Sequence, residues 1–269
     1  MKPINKMLND LEKTITYHSD TCEKHNVRLV VFEGVAECPR CFVEKENEQL
    51  QTVIVERFKN ANSLVLAQKS LVSDKTLLDA SLVNYETFEN TEEHANKKIV
   101  SECIRRLKVG QTFNVILQGK AGTGKSHLSY AMLNALNEAK EFDNQKSCLF
   151  ISFDMMLRKV RETFTYKESP YNEFYFLNLI EKIDFLVIDD LGAETGAVQT
   201  DKAASDFVHK ILYAISTSRQ DKATIYTTNL NSESLNQLYD SKLISRCFKK
   251  PKFIIFKESK DKRIADKPF

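Results

Sequence analysis

Gly119-Lys120-Ala121-Gly122-Thr123-Gly124-Lys125-Ser126 decides how this 269-residue chain is read. The octapeptide meets every required position of G-x-x-x-x-G-K-[ST]. Its setting agrees: Phe113 to Leu117 reads as a buried strand running toward Gly119, and His127 to Ala139 reads as a helix leaving the loop. Three of the chain's seven glycines fall here. A loop so free of side chains lets backbone N–H groups curl around the β- and γ-phosphates of a nucleotide at a helix N-terminus. Lys125 brings a point charge to those phosphates, and the Ser126 hydroxyl reaches Mg²⁺. The expected nucleotide-binding set is Gly119, Lys120, Ala121, Gly122, Thr123, Gly124, Lys125, Ser126 and His127.

Working outward, apolar runs at Cys148–Ser152, Phe185–Ile188, Thr224–Thr228 and Phe253–Phe256 join Phe113–Leu117 as candidate strands, with helical patterns between them. One such helix carries Ala95, Ile99, Cys103, Ile104 and Leu107 on one face and stops at Gly110. Five short apolar runs separated by helices predict an α/β fold, a doubly wound sheet of five parallel strands. Ligands of such sheets bind at the carboxyl ends of the strands. There the Phe185–Ile188 run delivers Asp189 and Asp190. Asp189 is placed to hold Mg²⁺ through water and Asp190 to orient the attacking water, a role Glu194 could share. Thr224–Thr228 ends in Asn229, whose amide can hydrogen-bond a water near the γ-phosphate.

A second pattern lies near the N-terminus. Cys22-Glu-Lys-His25 and Cys38-Pro-Arg-Cys41 are two pairs of metal-ligand residues, each with two residues between ligands, the bite a tight turn offers a tetrahedral ion. Cys22, His25, Cys38 and Cys41 are the expected zinc ligands, with His18 as an alternative nitrogen donor. Val27 to Phe32 can form a strand between the pairs. A stretch of about 30 residues cannot build a sufficient apolar core, so a metal answers a physical need. Cys103, Cys148 and Cys247 are scattered and read as ordinary thiols.

Length allows one full α/β domain and a smaller module. No run of 18 apolar residues exists, so no membrane span is expected, and Met1 to Lys6 leads into no apolar segment of the kind a secretory signal needs. A reducing, cytoplasmic setting is expected, with clustered cysteines serving metal rather than disulfides. Residues 242–269 hold ten Lys/Arg against three acids, a net +7 in a chain whose total is only +2. Such a tail suits phosphate backbones, an acidic partner surface, or simply solvent. The expected organisation is a zinc-binding module over 1–48, a helical linker over 49–83, the nucleotide domain over 84–258 and a basic tail over 259–269.

Taken together, Gly119 to Leu128, Leu186-Val-Ile-Asp-Asp-Leu-Gly-Ala-Glu194, Thr224 to Asn229 and Leu243-Ile-Ser-Arg246-Cys-Phe resemble an AAA+ ATPase, and within that class the DnaC/DnaI-type replicative helicase loaders, in particular versions carried by bacteriophages. The resemblance runs over roughly residues 50–256. It implies that the domain binds ATP and Mg²⁺, that Asn229 is sensor 1, and that Arg246 is the box VII arginine. Such an arginine reaches the γ-phosphate held by a neighbouring subunit, so it implies a homo-oligomer; a basic helix end is the other reading of Arg246. Little chain follows Phe256, so no helical lid is expected. Asp190 stands where many relatives have Glu. The resemblance also implies that the zinc module docks on a DnaB-type replicative helicase, as in the DnaI plan. Phe164, Tyr166, Tyr171, Phe174, Tyr175 and Phe176 occupy the interval that carries a DNA-lining helix in related proteins. They either stack on single-stranded DNA with Lys159, Arg161 and Lys167, or bury themselves. The expected function is ATP-dependent loading of that helicase onto single-stranded DNA in the bacterial cytoplasm. The alternatives are an ATP-binding protein that blocks a host loader, and an IstB-type transposition ATPase, a group that generally lacks a zinc module.

Overall fold

A computed structural model describes residues 16–32, 34–139, 145–195 and 204–262. Contacts divide the chain into two units, Met1–Phe58 and Lys59–Phe269.

The first unit holds a three-stranded antiparallel sheet, β1 (Thr16–Thr21), β2 (Arg28–Phe32) and β3 (Val35–Glu37), followed by the start of a long helix, α1 (Pro39–Lys69). Among its described residues only Cys38 is buried. Among the described residues no apolar core holds these strands.

The second unit contains α2 (Glu92–Lys108), β4 (Asn114–Gly119), α3 (Lys125–Asn137), β5 (Cys148–Ser152), α4 (Phe153–Thr165), α5 (Glu173–Lys182), β6 (Phe185–Asp189), α6 (Asp206–Ser218), β7 (Thr224–Thr228), α7 (Ser232–Leu238), α8 (Ser241–Cys247) and β8 (Pro251–Phe256). The five strands form one parallel sheet in the order β5-β6-β7-β4-β8. The α/β fold with five parallel strands is therefore as the sequence predicts. Strand alternation sorts the apolar residues onto two faces. Phe150, Val187, Ile225 and Ile254 face α2 and α3, while Leu149, Ile151, Leu186 and Ile188 face α4 to α8. Both faces are covered, which is why the central strands read as unbroken apolar runs. The chain leaves β4 through α3 on one face and later returns across it through α7 and α8 on the other. β4 is thus a switch point, and its carboxyl end opens a crevice where a ligand can sit.

Helix ends follow local chemistry. Thr91, Asn172, Ser205, Asn231 and Asp240 cap α2, α5, α6, α7 and α8 with side-chain oxygens on exposed N–H groups. The start of α3 differs: Gly124 stands at its cap with φ +90° and no side-chain acceptor, leaving those N–H groups directed at the loop.

Residues 59–83, which the sequence pattern assigns to a linker, pack with the second unit instead. The helix ends at Lys69, Leu71 exchanges backbone hydrogen bonds with Phe150 and Ser152 along the outer edge of β5, and Leu66, Leu77 and Ala80 are buried in the core. Within the aromatic stretch the two readings separate by residue. Phe176 is core, whereas Phe164, Tyr166 and Phe174 are exposed, and the Lys159 ammonium lies over the Tyr171 ring. Of the basic tail, residues 263–269 lie outside the described part. Among the described residues no helix is long and apolar enough to cross a membrane.

Candidate nucleotide site and metal centre

The loop after β4 forms one wall of a cleft of about 620 Å³. Ala121, Gly122, Gly124, Lys125, Ser126 and His127 line it, opposite Asp190, Thr227 and Asn229 from the ends of β6 and β7. Two glycines have no room for a side chain. A Cβ on Gly124 would meet the Tyr85 ring at 2.7 Å, and one on Gly122 would meet Asp261. Gly119 meets the same limit where β4 passes Phe256.

Lys125 is nearly buried, with Nζ 2.6 Å from the Lys120 carbonyl and 2.8 Å from Asn229 Oδ1. Asn229 in turn donates through Nδ2 to Asp190 Oδ1 at 2.7 Å. A continuous chain thus links the lysine of the loop to the second acid of β6. Thr227 joins the two acids: its hydroxyl donates to Asp189 Oδ1 at 2.7 Å and accepts the Asp190 N–H at 2.8 Å. That contact helps hold Asp190 in the left-handed region at φ +60°, a costly conformation for a residue with a side chain. Burial pushes the Asp189 carboxyl above its ordinary range, against hydrogen bonds from Thr227 and Ser126 that lower it. A hydroxyl beside a carboxylate is an oxygen donor set that fits Mg²⁺.

Glu194 does not join this group. One carboxylate oxygen takes the Tyr239 hydroxyl and the other accepts the Gly192 N–H, so it props the turn after β6. Arg246 also lies elsewhere. Its guanidinium stacks on the Tyr213 ring at 4.8 Å and lines a hollow with Asn114, Thr224, Lys249 and Lys250 at the amino ends of the strands. His127 Nε2 lies 3.2 Å from the Ser81 carbonyl and 3.0 Å from Asn84 Oδ1, and burial lowers its pKa, which keeps the ring neutral. Thr227 and Tyr85 also line the cleft, and the sequence reading assigns a role to neither. Thr227 leaves a trace, as one of three threonines in a fully buried strand. Tyr85 lies in Leu82 to Phe88, a segment that also resembles the family, but its contact with the loop spans 38 residues and shows only in the fold.

In the first unit Cys22, His25, Cys38 and Cys41 converge, with one ligand atom of each within 4.8 Å of every other. The Cys22 and Cys41 sulfurs are 3.7 Å apart, and His25 Nδ1 stands 3.8, 3.6 and 3.3 Å from the Cys22, Cys38 and Cys41 sulfurs. A tetrahedron with Zn–S of about 2.3 Å and Zn–N of about 2.0 Å has edges of about 3.5–3.8 Å, so the donor set fits zinc. The far ring nitrogen of His25 is 3.0 Å from Glu44, which also accepts Lys24 at 2.6 Å. An outer carboxylate of this kind fixes the ring orientation of a metal ligand. The backbone N–H of His25 draws the Cys22 thiol down to about 6, favouring the thiolate that a metal requires. His18 is not in this cluster; its Nδ1 lies near Asp20.

With the loop, Asp190 and the polar end of β7 on one cleft, comparison with known proteins decides the family. The model for IstB-like ATP binding proteins matches residues 67–248. The chain belongs to that family. It is an IstB/DnaC-like AAA+ protein, and it shares the family's ATP binding. The replicative helicase loader DnaC of Escherichia coli (strain K12) is 29% identical over 137 residues, covering 51% of this chain and 51% of DnaC. The chain therefore aligns with about half the length of that relative. Among solved structures, that of the DnaC helicase loader superposes with TM-score 0.54 at 21% identity, covering 68% of this chain and 99% of the other. That of DnaI gives TM-score 0.53 at 19% identity, covering 69% and 95%. These last two speak for the fold of the IstB-like unit.

Proposed function

We propose that the chain is an ATP-dependent loader that binds a DnaB-type hexameric replicative helicase and deposits it on single-stranded DNA. The observation that carries this reading is the pairing, in one chain, of an IstB-like ATP unit similar to DnaC with a separate four-ligand Cys/His unit. The rival transposition reading has no use for the second of these. Docking on the helicase falls to the first unit, where Phe42, Val43, Leu50, Val53 and Ile54 expose apolar surface along one side of α1. Exposed Phe164, Tyr166 and Phe174, on a stretch that also carries Lys159 and Arg161, suit stacking on unpaired bases.

In the cleft, the loop N–H groups and Lys125 bind the β- and γ-phosphates. Asn229 keeps Lys125 and Asp190 in register, and Asp190 orients the water that attacks the γ-phosphate. Ser126 and Asp189 would hold Mg²⁺, which supplies charge neutralisation on the phosphates when bound. Asp190→Asn is expected to bind ATP within about twofold of wild type while hydrolysis drops by about 10²-fold, as removal of a positioned proton acceptor does. A steady-state phosphate-release assay checks it; hydrolysis at the wild-type rate would move the base elsewhere.

Arg246 faces away from its own cleft, so a role on the γ-phosphate requires a second copy. Arg246→Ala should bind ATP normally but lose ATP-dependent self-association and stimulated hydrolysis. Lys125→Ala lacks the other half-site, so mixtures of the two variants should regain part of the activity. No recovery at any ratio, with both variants folded, assigns Arg246 to the basic surface instead.

The loading reading itself is tested by adding the full chain to a purified DnaB-type hexamer and circular single-stranded DNA coated with binding protein. ATP-dependent appearance of helicase on the circle is expected. Hexamer binding that only suppresses loading would favour the blocking protein.

A further inference from the structure

The segment after β8 folds back onto the nucleotide loop. Glu92, the first residue of α2, anchors it. One carboxylate accepts the N–H groups of Lys257, Glu258 and Ser259 at 2.7, 3.0 and 2.9 Å, and the Ser259 hydroxyl at 2.6 Å. Ser259 is buried as a result. From that anchor the chain runs along the loop. The Lys262 N–H donates to the Gly122 carbonyl at 3.0 Å, and the Asp261 carboxylate fills the space beside Gly122, 1.8 Å from where a Cβ would stand. Gly122 has φ +75°, a conformation that favours glycine.

This path brings the Lys262 side chain into the lining of the same cleft as Gly122, Gly124 and Lys125. There it donates to the Glu86 carbonyl at 3.0 Å and lies 3.8 Å from the centre of the Tyr85 ring, the same ring that packs on Gly124. Its direct contacts are the carbonyl and the ring face, and the Glu86 and Glu93 carboxylates lie close enough to act on its charge. Burial lowers the Lys262 pKa, as expected of a cation withdrawn from water into a cleft wall.

We propose that Lys262 is a nucleotide-binding residue, held by the Glu92-anchored segment 257–262 so that its ammonium joins Lys125 in facing the polyphosphate of ATP. The inference rests on the ATP-binding reading of the loop and assigns to that site a residue from the basic tail. It also separates Lys262 from the other charges of that tail.

The test is ATP–Mg²⁺ titration calorimetry on the full chain, with Lys125→Ala as the reference for a lost loop contact. Lys262→Ala should weaken ATP by about 10- to 150-fold, the range of one charge-assisted contact. Lys262→Arg should recover most of the loss. Glu92→Ala, which frees the segment without touching the nucleotide, should weaken ATP comparably. The double variant should be little worse than the weaker single one, because the two residues act as a unit. Wild-type affinity in Lys262→Ala, with Lys125→Ala defective, overturns the proposal and leaves the nucleotide site intact. Loss of single-stranded DNA binding in Lys262→Ala without loss of ATP affinity overturns it too, by returning the residue to a DNA-facing tail. No ATP binding by the wild-type chain would sink the site reading and this proposal with it. Where Glu92→Ala melts below the assay temperature, the Lys262→Ala and Lys262→Arg pair decides alone.

Discussion

Cys38→Ser is expected to strip zinc from the N-terminal unit and unfold residues 16–47 while ATP affinity stays at the wild-type value. Cys38 is the only buried residue among those described in that unit, so its ligand cluster is the nearest thing to a core. Ordering a residue costs about 1–2 kcal/mol of backbone entropy, and a three-stranded sheet whose outer strands are exposed and whose Leu29, Val30 and Val31 are only half-buried recovers little of that by apolar burial. Structural zinc in small modules contributes about 10–16 kcal/mol of apparent binding energy, enough to decide whether the module folds. Metal analysis of the wild-type chain should therefore find about one zinc per chain, and the variant close to none. Amide exchange should show β2 and β3 protected only in the wild type. The sign with pH follows from the ligands: protonating thiolates and imidazole competes with the metal, so acid should release zinc and neutral pH restore it. Glu44→Gln should weaken zinc by about tenfold, the usual cost of losing an outer hydrogen bond to a ligating imidazole. A metal-free wild-type chain with protected amides over Arg28–Glu37 would sink the zinc assignment.

The parts of this protein that announce themselves in sequence are those governed by near neighbours. Cys148–Ser152 and Thr224–Thr228 are found at their observed limits because a strand buried on both faces must be apolar along its whole length. The nucleotide loop is legible because phosphate binding fixes four positions within eight consecutive residues. The Cys/His pairs are legible for a similar reason, since two residues between ligands suit one ion. Contacts between distant segments leave no such trace. Glu92 looks like an ordinary first-turn acid of α2, favourable to the helix dipole. Its carboxylate in fact collects three N–H groups some 165 residues downstream. Lys262 reads as one more charge in a basic tail, and Tyr85 as a loop aromatic. The segment before α2 is misjudged for a related reason: Leu71, Leu77 and Ala80 show no helical or strand period, yet the edge of β5 and the back of α3 give them a place to bury. Glu194 shows the converse. Its spacing after Asp190 suggests chemistry, but a tyrosine 45 residues away claims its carboxylate.

Lys125→Ala is expected to lower ATP affinity by about 30- to 4,000-fold while leaving the fold intact. The Lys125 ammonium is nearly buried and its contacts within the protein are a carbonyl at 2.6 Å and an amide oxygen at 2.8 Å, among others. Truncating one member of a buried, hydrogen-bonded charge pair costs about 2–5 kcal/mol, and each 1.4 kcal/mol is a factor of ten in affinity. The loss should exceed that from Lys262→Ala, because Lys125 stands at the helix N-terminus, where the loop N–H groups also converge on the phosphates. A second effect follows from the Lys125–Asn229–Asp190 chain. Without the ammonium, Asn229 loses one of the two contacts that fix its amide, and Asp190 loses its register with the loop. Hydrolysis should therefore fall further than affinity does, and saturating ATP should not restore the wild-type rate. Calorimetry and single-turnover hydrolysis on the same preparation measure the two losses separately. A variant that regains the full rate at saturating ATP would show that Lys125 only binds, and that Asn229 positions Asp190 without it. A variant with unchanged affinity, its melting temperature within a few degrees of wild type, would remove the loop from the nucleotide site altogether.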